Sequence, residues 1–199
     1  MGKLRLGFLA SHGGSNMQAI IDNCKSNRLD AVPAVVISNN SHSMALERAR
    51  QEGIPWYHIS RVSYPDEKSH DEAIIEALKE HESDLVILAG YMRKLGNTAL
   101  EAFKNKVLNI HPAMLPKFGG KGMYGIKVHE AVLAAGEKET GVTVHLVNNE
   151  YDKGRILAQE KVAVLPGDTP QMLAERVLKT EHEIYSQVLQ SIAEGRIKL

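Results

Sequence analysis

Short, wholly apolar runs alternate with amphipathic stretches through the first half of this chain, and that alternation limits the fold more than any other feature. Val32 to Ile37 and Leu85-Val86-Ile87-Leu88-Ala89 carry no polar face, as parallel strands do when helices cover both sides of their sheet. Lys3 to Ala10 reads as a first strand. It is followed by the turn Ser11-His12-Gly13-Gly14-Ser15-Asn16 and by a helix with Met17, Ile20 and Ile21 on one side. Ser41 to Glu52 predicts a helix ending at Gly53, Trp56 to Ile59 a short strand, and Asp66 to His81 a helix with Ala73, Ile74, Ala77 and Leu78 inward. Strand, helix, strand in repetition predicts a doubly wound parallel α/β sheet.

The second half changes character. Val107-Leu108-Asn109-Ile110-His111 is a strand that must stop at Pro112, which has no N–H for a ladder and keeps residue 111 from turning helical. A glycine-rich loop from Pro112 to Ile126 leads to a helix over Lys127 to Ala135. Gly141 to Val147 and Arg155 to Gln159 are strands joined by Asn148 to Gly154, a hairpin rather than a crossover. Thr169 or Asp168 caps a long last helix with Pro170 in its first turn and Leu173, Val177, Ile184 and Val188 inward. The expectation is one domain over residues 1–199, a mixed but mostly parallel twisted sheet with helices on both faces. Its N-terminal half is Rossmann-like and its last strands are antiparallel.

Charge excludes several partner classes. Lys and Arg number 24 and so do Asp and Glu, so no net field draws the chain to nucleic acid or to an anionic membrane. No apolar run reaches membrane-spanning length and no secretory signal is visible. The single cysteine, Cys24, cannot form an internal disulfide and suits a reducing compartment, so the chain is read as cytoplasmic.

Three places could carry chemistry. Asn109 and His111, two apart in a strand, emerge on one face, where an amide can donate to an oxyanion and an imidazole can move a proton. Alone, a satisfied polar pair at a strand end is the plainer reading. The turn at Gly14, Ser15 and Asn16 puts backbone N–H groups at a helix start and suits a phosphate. It equally suits an ordinary capped turn, and it is neither a Walker A nor a G-x-G-x-x-G sequence. Gly90-Tyr91-Met92-Arg93-Lys94-Leu95 follows a central strand at its carboxyl end, where open α/β sheets bind ligands, although by itself it reads as core. Asp152, in the hairpin turn, reads as a turn aspartate unless that turn folds back on His111. In that case it raises the imidazole's pKa. No metal-ligand spacing, Cys cluster or G-x-S-x-G elbow is present, so no metal is expected. Gly119-Gly120-Lys121-Gly122 lacks the P-loop spacing and reads as a flexible or lid loop.

Taken in order, Gly14-Ser15-Asn16, Leu88-Ala89-Gly90-Tyr91-Met92-Arg93, Asn109-Ile110-His111-Pro112-Ala113-Met114-Leu115-Pro116, Gly141-Val142-Thr143-Val144-His145, Asp152-Lys153-Gly154 and Glu181-His182-Glu183-Ile184-Tyr185 resemble the phosphoribosylglycinamide formyltransferase family over nearly the whole chain. The resemblance implies a formyltransferase fold, with a phosphate-binding half over about 1–105 and a catalytic, folate-binding half over about 85–199. It implies formyl transfer from the co-substrate 10-formyltetrahydrofolate to the amine of glycinamide ribonucleotide in purine biosynthesis, by a monomer or weak homodimer. Gly14, Ser15, Asn16 and Glu181 then match the ribonucleotide contacts, Met92, Arg93, Lys94, Leu95 and Asn109 the folate contacts, and Asn109, His111 and Asp152 the catalytic trio. Where many relatives carry an arginine for the folate's carboxylate tail this chain has Glu67, which leaves Lys68 or Arg61 as substitutes. Two rival readings are a formyltetrahydrofolate deformylase, with water as nucleophile, and a catalytically idle folate- or nucleotide-binding module.

Overall fold

The structure is a computed structural model and describes residues 2–199. Along the chain come β1 (Leu4–Ala10), α1 (Ser15–Lys25), β2 (Ala31–Ser38), α2 (Met44–Gln51), β3 (Trp56–His58), α3 (Glu67–Glu80), β4 (Leu85–Leu88) and α4 (Asn97–Ala102). They are followed by β5 (Val107–His111), α5 (Ile126–Ala134), β6 (Glu139–Leu146), β7 (Ile156–Ala163) and α6 (Pro170–Ala193). The seven strands lie in the order β3-β2-β1-β4-β5-β6-β7. β1 to β5 pair in parallel and the last two join antiparallel, as the hairpin in the sequence requires. The winding reverses between β1 and β4, so their carboxyl ends open the crevice in which such sheets bind ligands.

Strand alternation divides the core in two. Leu6, Phe8, Leu85, Ile87, Leu108 and Ile110 pack toward α1, α2 and α6, while Leu9, Val86, Leu88 and Val107 pack toward α3 and α4. Asn109 and His111 fall between the residues of the first set and therefore face the second side, at the end of their strand. Tyr185 of α6 is fully buried. Its hydroxyl donates to the Leu108 carbonyl at 3.0 Å and also reaches that of Leu88 at 3.3 Å, tying the last helix to the two strands that carry the site.

Several boundaries differ from the expectation for local reasons. The second helix starts at Met44 rather than Ser41 because the Ser43 hydroxyl caps it by accepting from the Leu46 N–H. β7 runs on to Ala163, beyond the expected Gln159, because it is an edge strand. Its Gln159, Glu160 and Lys161 side chains are exposed, so no apolar run marks them. The sequence reading contained no helix over Asn97–Ala102, which is too short for a periodic signal. A distant residue makes it: the buried carboxylate of Asp71, on α3, accepts from the backbone N–H of Gly96 at 3.1 Å and of Ala99 at 3.0 Å.

Asp71→Ala strands those two buried donors, so it is expected to cost about 2–3 kcal/mol of unfolding free energy. Urea denaturation checks this, and the denaturant slope should stay unchanged.

Candidate active site

The β5–β6 ladder sets His145 directly opposite Asn109. The Asn109 amide nitrogen lies 3.2 Å from His145 Nε2. His145 Nδ1 donates to the Leu146 carbonyl at 2.8 Å, which leaves Nε2 free to accept from that amide. His111 is 4% exposed. Its Nε2 donates to the Phe118 carbonyl at 2.8 Å, and its Nδ1 sits 3.7 Å from Asp152 Oδ2.

Asp152 arrives from the turn between β6 and β7, which folds back over this face. Its backbone is left-handed, with φ of 56°, a conformation Asp tolerates better than most residues. Two residues on, Gly154 lies so close to the Leu146 carbonyl that any Cβ would fall 1.6 Å from that oxygen, so only glycine closes the turn. One carboxylate oxygen of Asp152 is 3.6 Å from His145 Nε2. The other accepts from the Gly120 N–H at 2.8 Å. The amide, imidazole and carboxylate singled out in the sequence therefore converge. A second imidazole, His145, and the backbone of the Phe118–Gly120 loop join them.

The electrostatics correct one expectation. Asp152 was expected to raise the pKa of His111, and its charge does pull in that direction. Burial of the ring is the larger effect, however, and the net shift of His111 is downward. Burial also opposes ionisation of Asp152, but the adjacent His145 ring, the Gly120 N–H and the nearby His111 ring outweigh it and hold the carboxyl below its usual range. The resting pair is therefore an ionised carboxylate beside an imidazole biased toward neutral. Because both ring nitrogens of His111 face oxygen atoms, only the charged ring can donate to both.

On the other side of β1, Gly14 takes a left-handed φ of 67° and opens α1, which has no side-chain cap. A Cβ at Gly14 would press on Ala45 at 3.0 Å. The first N–H groups of α1, at Ser15 and Asn16, are thus left for an external acceptor. The Asn16 amide donates to Glu181 Oε2 at 3.2 Å, while Asn16 Oδ1 is buried without a partner. The structure thus joins the two ends of the expected ribonucleotide contacts. In the segment after β4, Met92, Arg93 and Lys94 are exposed, but Leu95 is 4% exposed and packs in the α3–α4 cluster. Its side chain therefore offers a ligand nothing. The Met92 N–H donates to the Ser11 hydroxyl at 2.7 Å, and Lys94 Nζ lies over the Tyr151 ring, 5.8 Å from its centre, so the segment meets the hairpin turn.

Sequence reasoning left His145 without a role. The signal available was pairing: once β5 and β6 are antiparallel neighbours, a histidine opposite Asn109 must share its face.

Residues 4–189 match the formyl transferase family. The chain belongs to that family. It is 42% identical to the chloroplastic phosphoribosylglycinamide formyltransferase of Arabidopsis thaliana, over 98% of this chain and 67% of that one. It is 37% identical to the phosphoribosylglycinamide formyltransferase of Escherichia coli, over 96% and 88%. Among solved structures, glycinamide ribonucleotide transformylase 1 of Symbiobacterium toebii superposes with a TM-score of 0.92 at 41% identity, covering 99% and 91%. A formyltetrahydrofolate deformylase of Pseudomonas syringae shares the fold at 27% identity, and this chain spans 63% of its length. The chain therefore shows more sequence likeness to these phosphoribosylglycinamide formyltransferases than to the deformylase.

Burial raises the Glu181 carboxyl from the ordinary glutamate range to about 7. The folded chain then holds a proton that the unfolded chain releases near pH 4.5, so stability falls as pH climbs through that window. Glu181→Gln removes this loss. The stability of the variant relative to the parent is expected to rise by roughly 3 kcal/mol between acid and neutral pH, measured by urea denaturation at both ends.

Proposed function

We propose that this chain transfers the formyl group of 10-formyltetrahydrofolate to the primary amine of glycinamide ribonucleotide, giving formylglycinamide ribonucleotide and tetrahydrofolate in purine biosynthesis. The observation that carries this reading is the convergence of Asn109, His111 and Asp152 at the end of β5, on the same sheet whose β1 ends in an uncapped helix start suited to a phosphate. We read the chain as cytoplasmic and as a monomer or weak homodimer.

In this reading Gly14, Ser15 and Asn16 hold the ribonucleotide phosphate and Glu181 contacts the same substrate. The backbone from Met92 to Leu95 lies along the pterin. The amine nitrogen attacks the formyl carbon, and the carbonyl electron pair moves onto oxygen. The Asn109 amide donates its second N–H to that oxyanion, and His111 Nε2–H turns to it from the Phe118 carbonyl. His111, biased toward neutral at rest, takes its second proton from solvent as negative charge develops beside it, Asp152 offsets the resulting imidazolium, and the ring returns that proton to solvent when the carbonyl re-forms. A proton then leaves the attacking nitrogen and reaches the folate nitrogen, the carbon–nitrogen bond to the folate breaks, and the carbonyl re-forms. His145 positions Asn109 and Asp152 and touches no reacting atom.

The test follows folate product and formylated ribonucleotide together, with and without the amine substrate. Transfer is expected only with the amine. His111→Ala is expected to lose at least a hundredfold in kcat, in line with about 3–4 kcal/mol for an oxyanion donor, and Asp152→Asn is expected to be severely impaired. Folate release at the same rate without the amine would replace this reading with the hydrolase. Binding of both ligands without turnover would replace it with the idle module.

A further inference from the structure

The turn between β1 and α1 commits three successive carbonyls to one neighbouring stretch of chain. The Ser11 carbonyl accepts from the Asn40 side-chain amide at 3.3 Å, the His12 carbonyl from the Ala45 N–H at 3.0 Å, and the Gly13 carbonyl from Arg48 Nε at 2.9 Å. All three donors belong to the loop after β2 or to α2. The last contact bears most on a ligand. A trans peptide sets the N–H of one residue antiparallel to the carbonyl of the residue before it, so whatever aims the Gly13 carbonyl also aims the Gly14 N–H, in the opposite direction. Glycine stands on both sides of that peptide, and no side chain there resists its turning over. Gly14 is buried, yet its N–H meets no acceptor among the described residues. Buried backbone donors are rarely left so.

We infer that Arg48 is a positioning residue: by holding the Gly13 carbonyl it fixes the Gly13–Gly14 peptide so that the Gly14 N–H joins those of Ser15 and Asn16 as a third donor to the phosphate of the amine substrate. The inference rests on the function proposed above and goes beyond it, since Arg48 acts through the backbone and touches no substrate atom. The half-buried guanidinium is itself held at a second point, where Nη1 donates to Gln18 Oε1 of α1 at 3.4 Å. It therefore spans the turn and the helix that the turn opens, and a planar group fixed at two points keeps the carbonyl in one direction. The hydrogen bond can be separated from the charge by substitution. Gln carries its amide nitrogen as many bonds from the backbone as Arg carries Nε, whereas Met places a methyl carbon there.

The test compares the ribonucleotide with the corresponding riboside, which lacks the phosphate, in steady-state kinetics on the full chain. Binding of ribose 5-phosphate, followed by the amide resonances of Gly14, Ser15 and Asn16, gives a readout that needs no turnover. Arg48→Met is expected to raise both KM for the ribonucleotide and Kd for ribose 5-phosphate about tenfold, the loss of one hydrogen bond to a charged group. The kcat for the ribonucleotide and the KM for the riboside should move far less. Arg48→Gln, which returns the donor without the charge, is expected to recover most of both losses. Equal losses for ribonucleotide and riboside would mark a general distortion of the turn, and an Arg48→Gln chain as impaired as Arg48→Met would mark a direct pull of charge on the anion. Either result overturns the inference, as does the absence of any change, or ribose 5-phosphate leaving those resonances unmoved in the unaltered chain. The expected pattern of ribose 5-phosphate binding without formyl transfer by the unaltered chain would instead defeat the proposed function and leave the role of Arg48 standing.

Discussion

A carboxylate cannot stay ionised inside a protein unless something there replaces water, and the arrangement of this site follows from how Asp152 meets that requirement. One oxygen faces His145, the other faces His111 and takes the Gly120 N–H. Each of those partners comes from a different element, so satisfying one largely buried charge fixes β5, β6, the hairpin turn and the loop after Pro112 relative to one another. The cost of burial is offset by the same contacts that position the catalytic groups.

That constraint bears on chemistry because the same burial works against the imidazole. A charged His111 satisfies both of its oxygen neighbours, yet desolvation drives the ring toward neutral. A site balanced in this way gains most where new negative charge appears, and in acyl transfer that place is the carbonyl oxygen of the tetrahedral adduct. Ground-state charge would spend the Asp152–His111 attraction before the reaction began.

Much of the fold was legible because its signals are local. Continuous apolar runs marked β2 and β4, Pro112 ended β5, and Asp152-Lys153-Gly154 marked a turn. Asn109 and His111 could be placed on one face by strand periodicity alone. The features that were not legible depend on pairing at long sequence separation. α4 owes its start to Asp71, about 25 residues earlier by hydrogen bond, and no window of sequence contains both. His145 acquires a role only once the β5–β6 register is known. The sign of the His111 shift could not be read from charge, since the carboxylate's pull and the burial oppose each other and only packing sets the burial. Likewise Leu95 joins the core because of where the chain turns.

The balance between burial and Asp152 at His111 can be observed directly by following that ring's nitrogen resonances against pH, in the unaltered chain and in Asp152→Asn. The His111 midpoint should lie below the ordinary histidine value of about 6.5 in the ligand-free chain and move lower still when the carboxylate is neutralised. A midpoint above that value, or one indifferent to the loss of the Asp152 charge, would contradict the proposed site.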